Sequence, residues 1–471
     1  MRQRSTAVPP GILLALCLPA FAAGCSCSEK TEGDGENDLS DDEMGPDPVE
    51  DEDREDAPAP AEREDAPEDP RAEDSAAEEL ELPPPCDPEH PPQLERGDLA
   101  LGDSLEGVVL EACTEHLYAI VAAAGMTVRV SLASDRVHPV RAAVVYPDDP
   151  SWDSPLMALY SGWNPVENTL DVPRSGELFI LVRSGDGREP STYDLAVECA
   201  EGCDLRATRF PVVLVHGWTG FSEIGPIEYF YGVVDDLAPR GYLLYVAELD
   251  PYNSTEIRSG QLAAEVDGFL VEGRARKVNL VAHSQGGLDA RRVVSTLGYG
   301  DRVGAIATIA APHRGTPIAD IALGILPGPG EEALFFLLNL IGATATGREQ
   351  EARDSFASIS EDYVVGTFNP GNPDDPRVAY LSWTGLTCLL GDDCGDVCDV
   401  EITWSYILIH DESGDNDGMV PVESGRWGDF LGVIPADHFD EVGQLLGVTN
   451  PNFDHLEFYR GVVGELAGRG L

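Results

Sequence analysis

Three stretches in the second half of the chain are almost wholly apolar, and each ends at small or polar residues: "FPVVLVHGW" from Phe210, "KVNLVAHS" from Lys277 and "GAIATIAAPHRG" from Gly304. Strands with one wet face alternate apolar and polar residues, so unbroken runs like these belong to a sheet covered on both faces. The stretch "SGQLAAEVDGFLVEGRA" between the first two has helical spacing. Run, helix, run is the order of a parallel sheet with helical crossovers, which predicts an α/β domain over residues 206–471.

The rest of the chain has a different texture. Residues 86–205 carry "MTVRVSLA", "VRAAVVYP", "GELFILVRSG" and "TYDLAVEC", short β-rich runs separated by Gly, Asp, Pro and Ser. That spacing predicts a small β-sandwich accessory domain. In strand pattern alone it is similar to the pre-peptidase C-terminal type of domain. It holds no grouped acid, base and nucleophile, so no chemistry is assigned to it.

Between Glu29 and Pro85 there are 25 carboxylates against 4 basic residues, with almost no large apolar side chains. Residues 26–85 therefore read as a disordered acidic linker. By square-root scaling it would span about 40 Å, and charge repulsion would lengthen it. Over the whole chain the net charge is −55, which argues against nucleic acid as a partner.

Before the linker stand Arg2 and Arg4, an apolar run from Gly11 to Ala23, and "AAGC" ending at Cys25. The run is too short to span a bilayer and reads as the core of a signal peptide over residues 1–25. Small residues before Cys25 resemble a bacterial lipobox. The expectation is an exported protein with a lipid anchor on Cys25, displayed on the outer membrane or released outside the cell; plain cleavage with Cys25 as a bystander is the alternative.

The ten cysteines of the chain include Cys17 in the signal and Cys25 at its end. In an exported protein the others are expected to form disulfides. Cys199 with Cys203, and two of Cys388, Cys394 and Cys398, can pair locally. Cys27 lies in the linker, and one thiol can stay free.

The second apolar run continues as "VNLVAHSQGGLDARRV", a serine on a strand-to-helix turn. Such an elbow exposes the hydroxyl and needs small residues two before and two after it. Ala282 stands where glycine is usual and adds one methyl group; Gly286 and Gly287 keep the other side open. A serine hydroxyl becomes nucleophilic only when a histidine takes its proton and a carboxylate orients that histidine. In this fold the chain order is Ser, acid, His. The segment "GDNDGMVPVESGRWGDFLGVIPADHFDEVGQLLGV" offers Asp417 in an N-D-G turn and then His438, with Asp411, Asp415 and Asp440 as alternative acids. Competing histidines are His410, read as a core residue in an apolar run ending a strand, and His455 before the final helix.

Beyond the elbow, "PVVLVHGWTGF", "AAPHRGTPIAD", "YLSWTG", "NDGMVPVESGRWG" and "HFDEVGQLLGV" follow in the order of the blocks of the family I bacterial triacylglycerol lipases, the Pseudomonas and Burkholderia type. The chain from about Pro211 onward resembles that family. The resemblance implies an α/β-hydrolase fold with a helical lid, and a serine carboxylic ester hydrolase acting on lipid esters at a lipid–water interface. It casts Ser284 as nucleophile, Asp417 as triad acid and His438 as base, with the backbone N–H groups of Trp218 and Gln285 holding the oxyanion.

The same resemblance implies a structural Ca2+ held by Asp396, Asp440, Gln444 and the carbonyl of Val448. Asp440 and Gln444, four apart, would share one side of a helical turn and offer oxygen ligands. Asp392, Asp393 and Asp399 crowd the position of Asp396, and a surface salt-bridge cluster is the plainer reading of the group. The family's usual disulfide is absent, because Glu423 stands at one of its positions.

Finally, "EEALFFLLNLIGATA" from Glu331 to Ala345 is apolar on nearly every face and follows the hinge-like "LPGPG". Such a helix is either buried or a lid that opens against lipid. Triacylglycerol is the expected substrate. Short-chain esters, phospholipids and polyesters are alternatives, as is an idle hydrolase fold used for surface binding; nothing in the sequence speaks to a dedicated folding chaperone.

Overall fold

The computed structural model describes residue 87 and residues 91–471, apart from 136, 163, 187, 219–222, 225–226, 341–346, 391–393 and 445. The predicted signal peptide, Cys25 and linker lie outside the described residues, as do Cys27, Cys86, Asp392, Asp393 and the end of the predicted lid segment.

Residues 93–201 form two sheets. One has five strands, in the order Gln93–Asp98, Glu115–Ala122, Gly176–Ser184, Val140–Val145 and Met157–Ser161; the other has four, Ser104–Leu110, Ser191–Glu201, Thr127–Ser134 and Val166–Asp171. All pairings are antiparallel except the first, where Gln93–Asp98 runs parallel to Glu115–Ala122. Val128, Val130 and Leu132 of one sheet join Ile120, Leu178, Ile180 and Val182 of the other in one buried cluster. This is the packing that the alternating runs predict. Cys199 and Cys203 are bridged where the last of these strands ends.

From Val212 onward a six-stranded sheet takes over, in the order Leu244–Val246, Val212–Val215, Val278–His283, Val303–Ile309, Ala379–Gly385 and Asp429–Ile434. Every neighbouring pair is parallel. Adjacent residues of one strand serve opposite cores. Val212, Leu214 and Val281 pack with the C-terminal helix His455–Gly468, whereas Val213, Val215, Leu280 and Ala282 pack with helix Thr255–Gly273. The unbroken apolar runs follow from this double burial.

A third cluster lies over the carboxyl ends of the strands. It gathers Ile318 and Ile321, Leu334 and Leu337 of helix Gly330–Leu340, Phe356 of helix Glu349–Ser358, and Trp218. The predicted lid helix has Ala333, Leu334, Leu337 and Leu338 buried, while Phe335 is 67 % exposed. Among the described residues no helix is long and apolar enough to cross a membrane. At the junction of sandwich and α/β sheet, the buried Glu177 meets Arg276 at 2.8 Å and Arg209 at 3.6 Å.

One sequence expectation fails here. His410 lies on helix Thr403–Ser413, exposed and stacked on Tyr406, and is not a core histidine at a strand end. "YILIH" has no polar alternation, and so short an apolar run fits a helix as readily as a strand.

Candidate active site

The strand Val278–His283 delivers Ser284 into a turn with φ of 57°, and helix Gly286–Val294 starts two residues on. A left-handed conformation strains a non-glycine residue and is kept only where the surroundings enforce it. Here they do. The Ser284 N–H donates to the Ile309 carbonyl at 3.0 Å, and the backbone of Val215 and His216 presses on Gly286. A Cβ on Gly286 would come within 2.7 Å of the Val215 oxygen, and one on Gly287 within 2.5 Å of Ala311 Cβ. Ala282 is fully buried in the strand, opposite Val215 and Thr308, so its methyl has a place in the core.

The structure brings Ser284, Asp417 and His438 together across 154 and 21 residues of sequence. His438 Nδ1 lies 2.9 Å from Asp417 Oδ2, and Nε2 lies 3.1 Å from Ser284 Oγ. With Nδ1–H donated to the carboxylate, Nε2 is left to accept the serine proton. Asp417 is wholly buried; its Oδ1 accepts the N–H groups of Met419 at 2.8 Å and Val420 at 2.7 Å. The N-D-G turn thus fixes the carboxylate from one side while the histidine engages the other. Of the competing residues, His455 is bound to the Tyr231 carbonyl at 2.9 Å, and Asp440 accepts the Asn450 N–H at 2.9 Å.

The H-G-W loop borders the serine. A Cβ on Gly217 would lie 3.1 Å from Ser284 Oγ. The loop is held by His216, whose Nε2 accepts the Leu249 N–H at 3.2 Å while Nδ1 donates to the Gly217 carbonyl at 2.9 Å. Burial depresses the His216 pKa to about 3, so this ring stays neutral. With the Gly217 carbonyl pinned, the N–H on the far side of the same peptide, that of Trp218, points the opposite way. Arg258, paired with Asp289 at 2.7 Å, holds the His216 carbonyl at 2.7 Å.

Sequence reasoning missed a second buried network beneath the serine. Gly217 N–H donates to the Tyr229 hydroxyl at 3.1 Å, which lies 2.7 Å from His283 Nδ1; His283 Nε2 is 2.8 Å from Glu441 Oε2. Glu441 also lies 3.7 Å from His438 Nδ1. Burial, and after it the charges of Asp417 and Asp437, push its pKa well above the carboxylate range. Burial holds His283 neutral. Only the i, i+3 spacing to His438 hinted at Glu441.

Carboxylate oxygens of Asp399, Asp437 and Asp440 lie within 4.8 Å of one another. Asp396 adds its charge to the group, and neither of its buried oxygens has a partner at hydrogen-bond geometry. Burial, reinforced by the neighbouring charges, raises Asp437 to about 8 and Asp440 to about 7. Crowded carboxylate oxygens, with those of Asp396 unpartnered, fit a hard divalent cation such as calcium. One expectation needs correction. Asp440 and Gln444 do not share a helical face, because the turn Asp440–Val442 ends at Gly443 with φ of 73°, where a Cβ would strike the His455 ring. Gln444 instead gives its amide N–H groups to the carbonyls of Glu228 and Tyr229 at 2.7 and 2.9 Å. Asp437, whose oxygens accept the N–H groups of Asp399, Phe439 and Asp440, was not foreseen. A local bridge, Cys388–Cys394, stands where the different staple was expected, and Cys398 is buried and free.

Comparison with known proteins agrees with this architecture. A family profile described as the alpha/beta hydrolase fold matches residues 211–343. A triacylglycerol lipase of Vibrio cholerae is 29 % identical over 290 residues, covering 56 % of this chain and 89 % of its own length. Triacylglycerol lipases of Pseudarthrobacter phenanthrenivorans and Burkholderia plantarii are each 28 % identical over 296 residues, covering 52 % of this chain and 92 % and 82 % of theirs. The chain carries the α/β-hydrolase fold and is similar to bacterial triacylglycerol lipases.

Proposed function

We propose that the chain hydrolyses carboxylic esters of lipids, triacylglycerols first among them, through an acyl-enzyme on Ser284. The observation that carries this reading is the hydrogen-bonded series from Asp417 through His438 to Ser284, with steps of 2.9 and 3.1 Å. Ser284 Oγ attacks the ester carbonyl carbon while His438 Nε2 takes the hydroxyl proton, and Asp417 stabilises the imidazolium so formed. The carbonyl oxygen becomes an oxyanion facing the N–H groups of Trp218 and Gln285, each worth about 3–4 kcal/mol in this role. Collapse breaks the ester C–O bond, and His438 returns its proton to the departing alkoxide. Water then attacks the acyl-enzyme, losing its proton to the same imidazole; a second collapse frees the acid and restores Ser284.

Lipid is the favoured ester class because the helix Gly330–Leu340 packs apolar side chains into one cluster with Trp218 and shows Phe335 to solvent. On this reading the helix is a lid that opens at an interface. The test compares the purified full chain on an emulsified long-chain triacylglycerol and on a short-chain ester across its solubility limit. The expected result is hydrolysis of the emulsion and an abrupt rise in short-chain rate when droplets form. A smooth rise with no activity on the emulsion would make the protein an esterase of soluble substrates.

Asp396 and Asp440, with Asp399 and Asp437 beside them, would hold calcium, and Gln444 and the carbonyl of Val448 could complete the oxygen set. The ion would neutralise the buried carboxylates and fix the loop that carries His438. Without it, burial raises the Asp437 and Asp440 pKa values, so their contribution to stability is full below about pH 4 and lost as pH rises through 7 to 8. Chelator-treated protein should therefore melt progressively lower between pH 5 and 8, and added calcium should remove most of that slope. Identical melting curves with chelator and with calcium at pH 8 would remove these residues from metal binding.

A further inference from the structure

Trp218 and Gln285 enter the proposed mechanism only through their backbone N–H groups, yet their side chains converge on one atom. The Trp218 indole N–H donates to Ser355 Oγ at 2.6 Å, and Ser355 Oγ donates to Gln285 Oε1 at 2.7 Å. Gln285 completes the chain through Nε2, which donates to the Asn253 carbonyl at 3.1 Å and reaches Thr255 Oγ1 at 3.4 Å. Ser355 and Gln285 are fully buried. The hydroxyl has one proton to give, and it also accepts one donor here.

Ser355 belongs to helix Glu349–Ser358, far in sequence from both oxyanion residues. That helix makes two further contacts nearby. Phe356 meets the Trp218 ring edge-on with centroids 5.0 Å apart, and Ser358 Oγ accepts the Thr255 N–H at 3.2 Å. Trp218 is thereby part of the apolar cluster that also holds the lid helix. A loop residue whose ring is locked by packing and by a hydrogen bond at its tip has a backbone with little freedom to rotate, and oxyanion donors work only when aimed in advance.

We infer that Ser355 is a positioning residue for ester hydrolysis: its hydroxyl bridges the side chains of Trp218 and Gln285 and so holds both oxyanion-binding N–H groups in register with Ser284. The inference rests on the hydrolase reading above. Ser355 touches neither substrate nor the reacting atoms. Removing its hydroxyl leaves a buried indole N–H and a buried amide oxygen without their partner, and either residue can regain one only by moving.

The test measures kcat and KM of the full chain on a soluble short-chain ester for wild type, Ser355→Ala, Ser355→Thr, Trp218→Phe and Ser284→Ala, with melting temperatures beside them. Misaimed donors are expected to lower kcat by about tenfold to a hundredfold, with KM within about twofold, in Ser355→Ala. Ser355→Thr keeps a hydroxyl and should recover most of the rate. Trp218→Phe keeps a ring but loses the N–H; it should show the same drop in kcat, and it decides the matter if Ser355→Ala does not fold. Combining the two should cost little more than either alone. Wild-type kcat in Trp218→Phe and in any folded Ser355→Ala protein would overturn the inference, as would a loss in Ser355→Ala that Ser355→Thr fails to restore. If wild type is no faster than Ser284→Ala, the hydrolase reading itself has failed, a result distinct from either of these.

Discussion

Replacing either Ser284 or His438 with alanine is expected to lower kcat on a soluble ester by about 10^4- to 10^6-fold, with the double variant little worse than either. The two side chains act as a unit. Without the imidazole the hydroxyl keeps its proton at neutral pH, and without the hydroxyl the base has nothing to activate but water. Their contact is a single hydrogen bond of 3.1 Å between residues 6 and 7 % exposed. Its loss should shift the melting temperature by only a few degrees, so an activity loss with a near-native melting curve separates chemistry from folding. Additive losses in the double variant would mean that the two residues act independently.

Asp417→Asn should cost about 10^4-fold in kcat although the substitution is nearly isosteric. The amide presents N–H to His438 Nδ1 where the carboxylate presented an acceptor. The ring then favours the tautomer with its proton on Nε2, which faces Ser284 and can no longer accept from it. Glu441, 3.7 Å from Nδ1, is another carboxyl within reach, but burial pushes its pKa well above the carboxylate range. It is therefore a poor replacement in that variant. The measurement is kcat against melting temperature; a loss below tenfold would move the orienting role away from Asp417.

The parts of the fold that could be read in advance rest on local patterns. Val212–Val215, Val278–His283 and Val303–Ile309 are buried on both sides, and their sequences carry no polar alternation because neither face meets water. The Ser284 elbow was legible through Gly286 and Gly287, whose Cβ positions are occupied by neighbouring atoms, and Ala282 proved to fit the core. Asp417 and His438 were singled out because they follow the serine in the order acid, then histidine, and the family resemblance cast them as acid and base.

What escaped depends on contacts between distant segments. Ser355 sits 70 residues from Gln285 and 137 from Trp218, on a helix whose sequence "EQEARDSFAS" gives no sign of a functional hydroxyl. Tyr229 and His283 join Glu441 only after strand and loop have packed. The shared face proposed for Asp440 and Gln444 failed at Gly443, whose left-handed backbone ends the turn and where the His455 ring takes the place of a Cβ, and helical spacing alone could not reveal that contact.

The central claim is that Ser284 is the one activated nucleophile, with His438 and Asp417 behind it. The most direct measurement is to treat the full chain with a fluorophosphonate, an electrophile that captures activated serines, and to locate the adduct by peptide mass spectrometry. The account predicts stoichiometric labelling of Ser284, loss of ester hydrolysis in step with labelling, and no reaction in the His438→Ala protein. A stoichiometric adduct on another residue, or an unlabelled protein that still hydrolyses esters, would contradict it.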